Sequence, residues 1–327
     1  MNVAVIRVSC TGVTRASVEE AYDRAMREHD DRRGERVAKV IARAGLASRR
    51  EAETWIAAGR VAVNGAVIRS PAMSVTAHDG ITVDGRALPA RERTRLFLFH
   101  KPRGVLTSHG DPRGRPTLFD ILPRKAPRLI SVGRLDLNSE GLLLLTNDGG
   151  LARVLELPAT GWLRRYRVRA HGRIAQDELD QLGGGITIDG IRYGAIEATL
   201  DHVQGSNLWL TFAIREGKNR EVRKVLGHLG LAVSRLIRVS FGPFQLGDLA
   251  PREIAEVRTR MLRDQLGPRI AALAGADFSA PALIPPPLAG EGGRAKRGRV
   301  GAAPARRNKR SSRDITPHRL RRRHPSP

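Results

Sequence analysis

Four consecutive leucines, Leu142–Leu145, lie between two turn-forming segments, Asp136-Leu137-Asn138-Ser139-Glu140-Gly141 and Thr146-Asn147-Asp148-Gly149. A short unbroken apolar run bounded by turn signals reads as a buried strand, so the chain has to build structure around it that excludes water. At 327 residues it is long enough to do so, with material for about two domains and tails. Leu96-Phe97-Leu98-Phe99, Tyr166-Arg167-Val168-Arg169 and Leu208 to Ile214 also read as strands, and Glu221 to Leu229 as a helix. These strands do not alternate regularly with helices, which points to an α+β fold rather than a doubly wound sheet.

Residues 35–92 form a separate small unit. Val37, Val40, Ile41 and Ala44 recur at helical spacing and Gly45 stands where a helix would end. Ser48 precedes Glu51 by three residues, a capping box that opens a second helix through Trp55 and Ile56. Val61-Ala62-Val63 and Ala66-Val67-Ile68 then flank Asn64-Gly65, a strong hairpin signal. Residues 96–262 make the larger, strand-rich domain. Residues 1–34 carry no complete fold signal. From 276 to 327 the chain turns to Pro, Gly and Arg, and residues 289–327 hold 13 Lys or Arg against Glu291 and Asp314. Such a segment cannot bury enough apolar surface to offset chain entropy, so a disordered basic tail is expected.

With 57 Lys and Arg against 33 Asp and Glu, the formal net charge is +24. That charge favours a polyanionic partner, nucleic acid ahead of an anionic membrane. The single cysteine, Cys10, excludes a disulfide framework and a Cys-based zinc site. No run of about 18 apolar residues predicts a membrane span, and Met1 to Thr11 is too weak for a secretory signal. A cytoplasmic, monomeric protein is the expectation. His100 and His109 have no Cys or carboxylate at ligand spacing, so no metal is expected.

Three segments of the larger domain can carry chemistry. His100-Lys101-Pro102-Arg103-Gly104 follows an apolar strand and makes a sharp turn that presents cations. Gly133-Arg134-Leu135-Asp136 puts a carboxylate at the lip of the leucine strand, near Arg134, where it can stay ionised yet shielded from water. Lys218-Asn219-Arg220 leads into the helix of Glu221-Val222-Arg223-Lys224, with Asn219 placed to cap it and Val222, Val225, Leu226 and Leu229 as its buried stripe. Each alone has an ordinary explanation: a surface turn, a turn-forming Asp, a basic helix.

Arg36 to Arg50 followed by Gly59-Arg60-Val61-Ala62-Val63-Asn64-Gly65 resembles the S4 RNA-binding module, in which Arg43, Arg49, Arg50 and Arg60 would meet phosphates. The three segments of the larger domain, in this order and after such a module, resemble one family of bacterial ribosomal RNA pseudouridine synthases. That family groups the A-type enzymes of the small ribosomal subunit with the B-type enzymes of the large one, and the resemblance runs from about Phe97 to Phe244. The uninterrupted Gly-Arg-Leu-Asp and Gly-Leu-Leu-Leu-Leu-Thr-Asn-Asp-Gly sequences carry most of it. It implies a mixed, mainly antiparallel sheet with flanking helices, and isomerisation of a uridine in ribosomal RNA without a cofactor. It also implies Asp136 as the essential carboxylate, Tyr166 as the residue that stacks on the target base, and Arg223 as the partner of Asp136. Lys101, Arg103, Arg134, Lys218, Asn219 and Arg220 become expected RNA contacts. Lys101 to Gly104, Asp111 to Pro116 and Leu142 to Gly149 are most like the B-type enzymes, so large-subunit RNA, naked or in a precursor particle, is the expected partner. His100, where many relatives have Asn, and Ser139-Glu140 depart from the pattern without touching the Asp. A non-catalytic S4-type binder or assembly factor would explain the charge and residues 35–92 but leave the three segments unexplained. A DNA-binding regulator would rest on charge and the helix pair alone.

The tail makes a direct prediction. Deleting residues 289–327 is expected to weaken RNA binding for all sequences alike and to flatten its salt dependence, measured by titration at several salt concentrations. Unchanged binding at low salt would give the tail another purpose.

Overall fold

The computed structural model describes residues 34–281, apart from Ala77 and Arg124. The expected N-terminal extension, but for Gly34, and the basic tail from residue 282 onward lie outside the described residues.

The small unit opens with β1 (Glu35–Arg36), α1 (Val37–Arg43) and α2 (Arg49–Ala57), followed by β2 (Val61–Val63), β3 (Ala66–Ile68), β4 (Ser74–Val75), β5 (Ile81–Val83) and β6 (Arg86–Ala87). Val37, Ala38 and Ile41 of α1 pack on Ala52 and Ile56 of α2 and on Val61, Val63, Val75, Ile81 and Val83 from the strands. Gly45 ends the first helix in the left-handed region at φ +82°. The capping box forms as expected: the Ser48 hydroxyl accepts from Glu51 N at 3.1 Å, and Ser48 N donates to the Glu51 carboxylate at 3.3 Å. Asn64 and Gly65 both have positive φ, the tight-turn geometry that lets β2 pair with β3, Val61 opposite Ile68. The strands order as β3-β2-β5-β6, with β1 and β4 paired apart.

The larger unit contains β7 (Leu96–Lys101), β8 (Ile130–Ser131), β9 (Glu140–Thr146), α3 (Gly149–Glu156), β10 (Arg164–His171), α4 (Gln176–Asp180), β11 (Ile186–Ile188), β12 (Ile191–Tyr193), β13 (Glu197–Gln204), β14 (Asn207–Ile214), α5 (Glu221–His228), β15 (Ala232–Phe241), β16 (Phe244–Gln245), β17 (Ile254–Glu256) and α6 (Thr259–Ala274). A nine-stranded sheet runs β13-β14-β10-β15-β9-β7-β17, with β8 on β9 and β16 on β15. It is mixed and mainly antiparallel, as expected; only β15 and β9 pair in parallel.

The leucine run explains why this sheet has two cores. Leu143 and Leu145 face one side, with Phe97, Phe99, Val168, Phe212 and the Val225 and Leu226 positions of α5. Leu142 and Leu144 face the other, with Leu151 and Leu155 of α3, Phe241, and Leu262 and Leu266 of α6. All four leucines are fully buried, at roughly 1.5–3 kcal/mol each in transfer free energy. The domain continues past residue 262, where its pattern was expected to stop. Helix α6 carries on to Ala274 across a kink at Gly267-Pro268, and Ala276 and Phe278 pack on the second core. The expected boundary failed because a Gly-Pro pair inside the segment weakens its helical signal.

Gly141 holds the parallel junction together. It pairs with Lys101 of β7 on one side and Arg238 of β15 on the other, at φ +102°. A Cβ there would lie 2.3 Å from the Arg238 carbonyl oxygen. Gly141→Ala is therefore expected to destabilise the fold by more than about 1 kcal/mol, read as a drop in thermal midpoint.

Candidate active site

Five consecutive carbonyls fix the loop between β8 and β9. Leu135 O accepts from the Thr107 hydroxyl at 2.9 Å and Leu137 O from Gly104 N at 2.8 Å. Asp136 O accepts from Lys101 Nζ at 3.1 Å and from Ser139 N at 3.0 Å. Asn138 O accepts from Arg223 Nη2 at 3.0 Å, and Ser139 O from Lys101 Nζ at 2.8 Å. Gly104, at φ +84°, lets the turn after β7 aim its N–H at the loop. Asp136 is half-buried, and among the described residues its carboxylate forms no hydrogen bond or ion pair. The backbone is anchored while the carboxylate stays free to act.

That carboxylate lines a cleft of about 560 Å³. Tyr166, 7 % exposed on β10, lines it too, with Arg164 two residues before it on the same face of the strand. Lys218, Asn219, Arg220 and the buried Glu221 form another wall, and Arg134 and Arg238 complete the lining relevant to chemistry. Burial raises the Glu221 pKa above the usual carboxylate range, opposed by backbone donors. Its carboxylate accepts from Lys218 N at 2.7 Å, fixing the loop that enters α5.

Several expected residues take other roles. Lys101, read as an RNA contact, is fully buried: its ammonium is spent on Pro102 O, Asp136 O and Ser139 O. It ends β7 on the same face as Phe97 and Phe99, so its side chain points inward, not to solvent. Arg223, read as the ion-pair partner of Asp136, forms no ion pair with it; its guanidinium donates to Asn138 O and Val233 O. Burial lowers the Arg223 pKa, helped by the nearby Arg220 and Arg103, while Asp136 still favours the charged guanidinium. Asn219 does not cap α5. Arg220 takes the cap position at φ 51° with no side-chain cap bond, and the Glu221 carboxylate reaches back to Lys218 N instead. Lys218 is partly committed, ion-paired to Glu216 at 2.6 Å. Arg134, Asn219 and Arg220 line the cleft and are exposed, and Arg103 is exposed on the turn after β7.

In the small unit, Arg49 and Arg50 stand exposed at the start of α2. Arg43 forms a two-pronged pair with Glu35 at 2.7 Å, and Lys39 shares that carboxylate. Arg60 pairs with Asp84 and lies 4.8 Å over the Trp55 ring. His100 bonds Leu249 O at 2.7 Å and His109 stacks on Phe119, both structural uses; no His, Cys, Asp or Glu cluster among the described residues could hold a metal.

Arg164, Arg238 and Glu221 were not singled out in the sequence. A signal was present for Arg164, which occupies the inward phase of a strand whose other inward residues are Tyr166, Val168 and Ala170. Arg238 shares its phase with Leu236 but also with Ser240 and was less marked.

The S4 domain pattern matches residues 35–81, and that of the RNA pseudouridylate synthases matches residues 95–228. The chain is 43% identical over 231 residues to an uncharacterized RNA pseudouridine synthase of Rickettsia prowazekii, covering 71% of this chain and 97% of that protein. It is 42% identical over 253 residues to the ribosomal large subunit pseudouridine synthase B of Pseudomonas aeruginosa, covering 74% and 65% respectively. A solved crystal structure of a pseudouridylate synthase superposes with a TM-score of 0.50 at 26% identity, covering 72% of this chain and all of that one.

The buried Lys101 makes the site sensitive to alkali. Burial pushes its pKa down to about 8, against the pull of Asp136 and Glu140 and with a push from Arg238. Above that pH the cation beside Asp136 is lost, so activity is expected to fall with a midpoint near 8. In the unfolded chain the group titrates at 10.5, so between these values the folded state binds fewer protons and this titration favours folding as pH rises. The loss of rate should therefore come without a drop in thermal midpoint, checked by initial rates and melting between about pH 7 and 9.5. Lys101→Met should lower the rate and abolish this limb.

Proposed function

Because the chain belongs to the RNA pseudouridine synthases, a family of isomerases, we propose that it converts a uridine of large-subunit ribosomal RNA to pseudouridine, with Asp136 as the reacting carboxylate. The observation that carries this reading is the free carboxylate of Asp136 on a loop whose carbonyls are all bonded, opening into one cleft with Tyr166.

The reaction breaks the N1–C1′ bond, turns the base and joins C5 to C1′; the proton on C5 leaves and N1 gains one. Atoms and electrons balance within the nucleotide, so no redox partner or energy input enters. The uridine has to leave the stack, at a cost of a few kcal/mol, and needs an aromatic face to hold it. Tyr166 offers that face. Attack on C1′ and removal of the C2′ proton both demand an ionised carboxylate beside the sugar, and Lys101 and Arg223 supply positive potential there. Arg134, Asn219 and Arg220 at the cleft, Arg103 on the turn after β7, and Arg49 and Arg50 on the S4 domain are exposed groups suited to phosphates. The similarity to the P. aeruginosa enzyme, named for the large ribosomal subunit, supports large-subunit RNA as the substrate. Ribosomal RNA, free or in a precursor particle, puts the enzyme in the cytoplasm.

Mapping pseudouridines across both ribosomal RNAs in cells with the wild-type protein, without it, and with Asp136→Asn tests the reading. One large-subunit site should vanish without the protein and stay absent with the variant. In vitro the variant should lose at least about 10³-fold in rate while its RNA affinity stays nearly unchanged. Modification at the normal rate by the variant would remove Asp136 from the chemistry; a lost site in small-subunit or transfer RNA would overturn the substrate.

A further inference from the structure

One row across the sheet carries Lys101, Gly141, Arg238 and Tyr166 on neighbouring strands β7, β9, β15 and β10. Arg238 is 3 % exposed and lines the cleft. Its Nε donates to Leu142 O at 2.7 Å, the one hydrogen bond its guanidinium makes among the described residues. Nη2 is buried with no partner. The guanidinium lies 5.1 Å from the centre of the Phe241 ring, which Arg164 also covers at 4.5 Å. Lys101, Arg164 and Arg238 are all more than nine-tenths buried, and none forms an ion pair among the described residues. Lys101 is satisfied by three carbonyls, and Nη1 of Arg164 meets those of Trp162 and Arg215. Of the three, Arg238 is the one with a fully buried nitrogen left without a partner among the described residues.

A buried guanidinium with unused donors is expensive unless something negative arrives to meet it. The isomerisation generates such a group. When N1–C1′ breaks, its electron pair stays with the base, and the uracil becomes an anion whose charge spreads onto O2 and O4. Tyr166 is the cross-strand neighbour of Arg238 and on the same face, so a base lying on Tyr166 brings its edge towards that guanidinium.

We propose that Arg238 is a further catalytic residue, whose free guanidinium nitrogens donate to a carbonyl oxygen of the uracil and stabilise the anion formed as the glycosidic bond breaks. The arrangement is an oxyanion site for a leaving group: donors fixed in a dry place, aimed where charge develops. The same anion then attacks C1′ through C5, so holding it also keeps the detached base in the cleft while it turns. Cytosine presents an amino group where uracil has O4, so a donor there also disfavours it. The proposal rests on the cleft being the uridine site.

The test compares single-turnover cleavage of the N1–C1′ bond in RNA carrying uracil or 5-fluorouracil at the target. Fluorine withdraws electrons and makes the departing base a better leaving group, so it needs less help. Arg238→Gln is expected to slow the uracil substrate by about 10²–10³-fold with little change in RNA affinity, and the defect should shrink at least about tenfold with 5-fluorouracil. If Arg238→Gln does not fold, Arg238→Lys is measured on the same two substrates and must show the same narrowing. An equal defect on both substrates, or one confined to affinity as a phosphate contact would give, overturns the proposal while the functional reading stands. Wild-type protein that leaves both targets N1-linked overturns the functional reading and this proposal with it.

Discussion

The ammonium of Lys101 is the constraint on which the site is built. It arrives at the end of β7 on the inward face of the sheet and meets three carbonyls, two of them from the loop that carries Asp136. Hydrogen bonds to a charged donor contribute about 1.5–3 kcal/mol each, and they are the return for taking a charge out of water. Neither side works alone: without the loop the ammonium is stranded, and without the ammonium Ser139 O loses its donor and Asp136 O keeps only Ser139 N. Thr107, Gly104 and Arg223 hold the carbonyls between and beside them. Asp136 therefore owes its position to its backbone, which leaves both carboxylate oxygens unspent.

The parallel pairing of β15 with β9 gives the loop its surroundings. Were β9 paired only with β7 and β8, Asp136 would sit at the end of an antiparallel ribbon. The junction at Gly141 and Arg238 instead sets β15, and through it β10, beside the loop. Tyr166 and Asp136 thus share a cleft though one lies on β10 and the other on the loop before β9, strands that do not pair. A close backbone approach of this kind leaves no room for a side chain, and the invading Cβ at position 141 would strike main chain rather than a yielding side chain. The same row places two cations, Lys101 and Arg238, where the chemistry is proposed, so one glycine couples fold and function.

What could be read from the sequence was local. Ser48 with Glu51, Asn64-Gly65 and the leucine run each specify their geometry within a few residues, and each formed as expected. The larger domain's sheet and the placement of Asp136 followed from the uninterrupted motif around it. Expectations failed where a long side chain could choose between solvent and interior. Lys101 and Arg223 look like surface cations in a one-dimensional pattern, yet both turn to carbonyls contributed by residues 136–139, far along the chain. Asn219 lost the cap position to Arg220, and the buried Glu221 carboxylate instead draws in Lys218 N, fixing the loop ahead of the helix. Arg238 was hardly legible, because the alternate positions of its strand mix Leu236 with Ser234 and Ser240. Its meaning depends on β9 passing alongside, which no local pattern reveals.

Burial also separates the cations into two kinds with different duties. Arg43 with Glu35 and Arg60 with Asp84 are ion pairs at least partly open to water, and such pairs are worth only about 0–1 kcal/mol. A phosphate can take either arginine from its carboxylate at little cost, and salt weakens both the pair and the contact. Lys101, Arg164 and Arg238 cannot be traded in this way, because carbonyls inside the protein hold them and water does not reach to replace those bonds. The exposed set can thus be tuned for affinity without disturbing the site, while a change to the buried set alters the geometry around Asp136 directly. Added salt should act on the first group and leave the second nearly untouched, so binding and turnover respond to different chemistry within one chain.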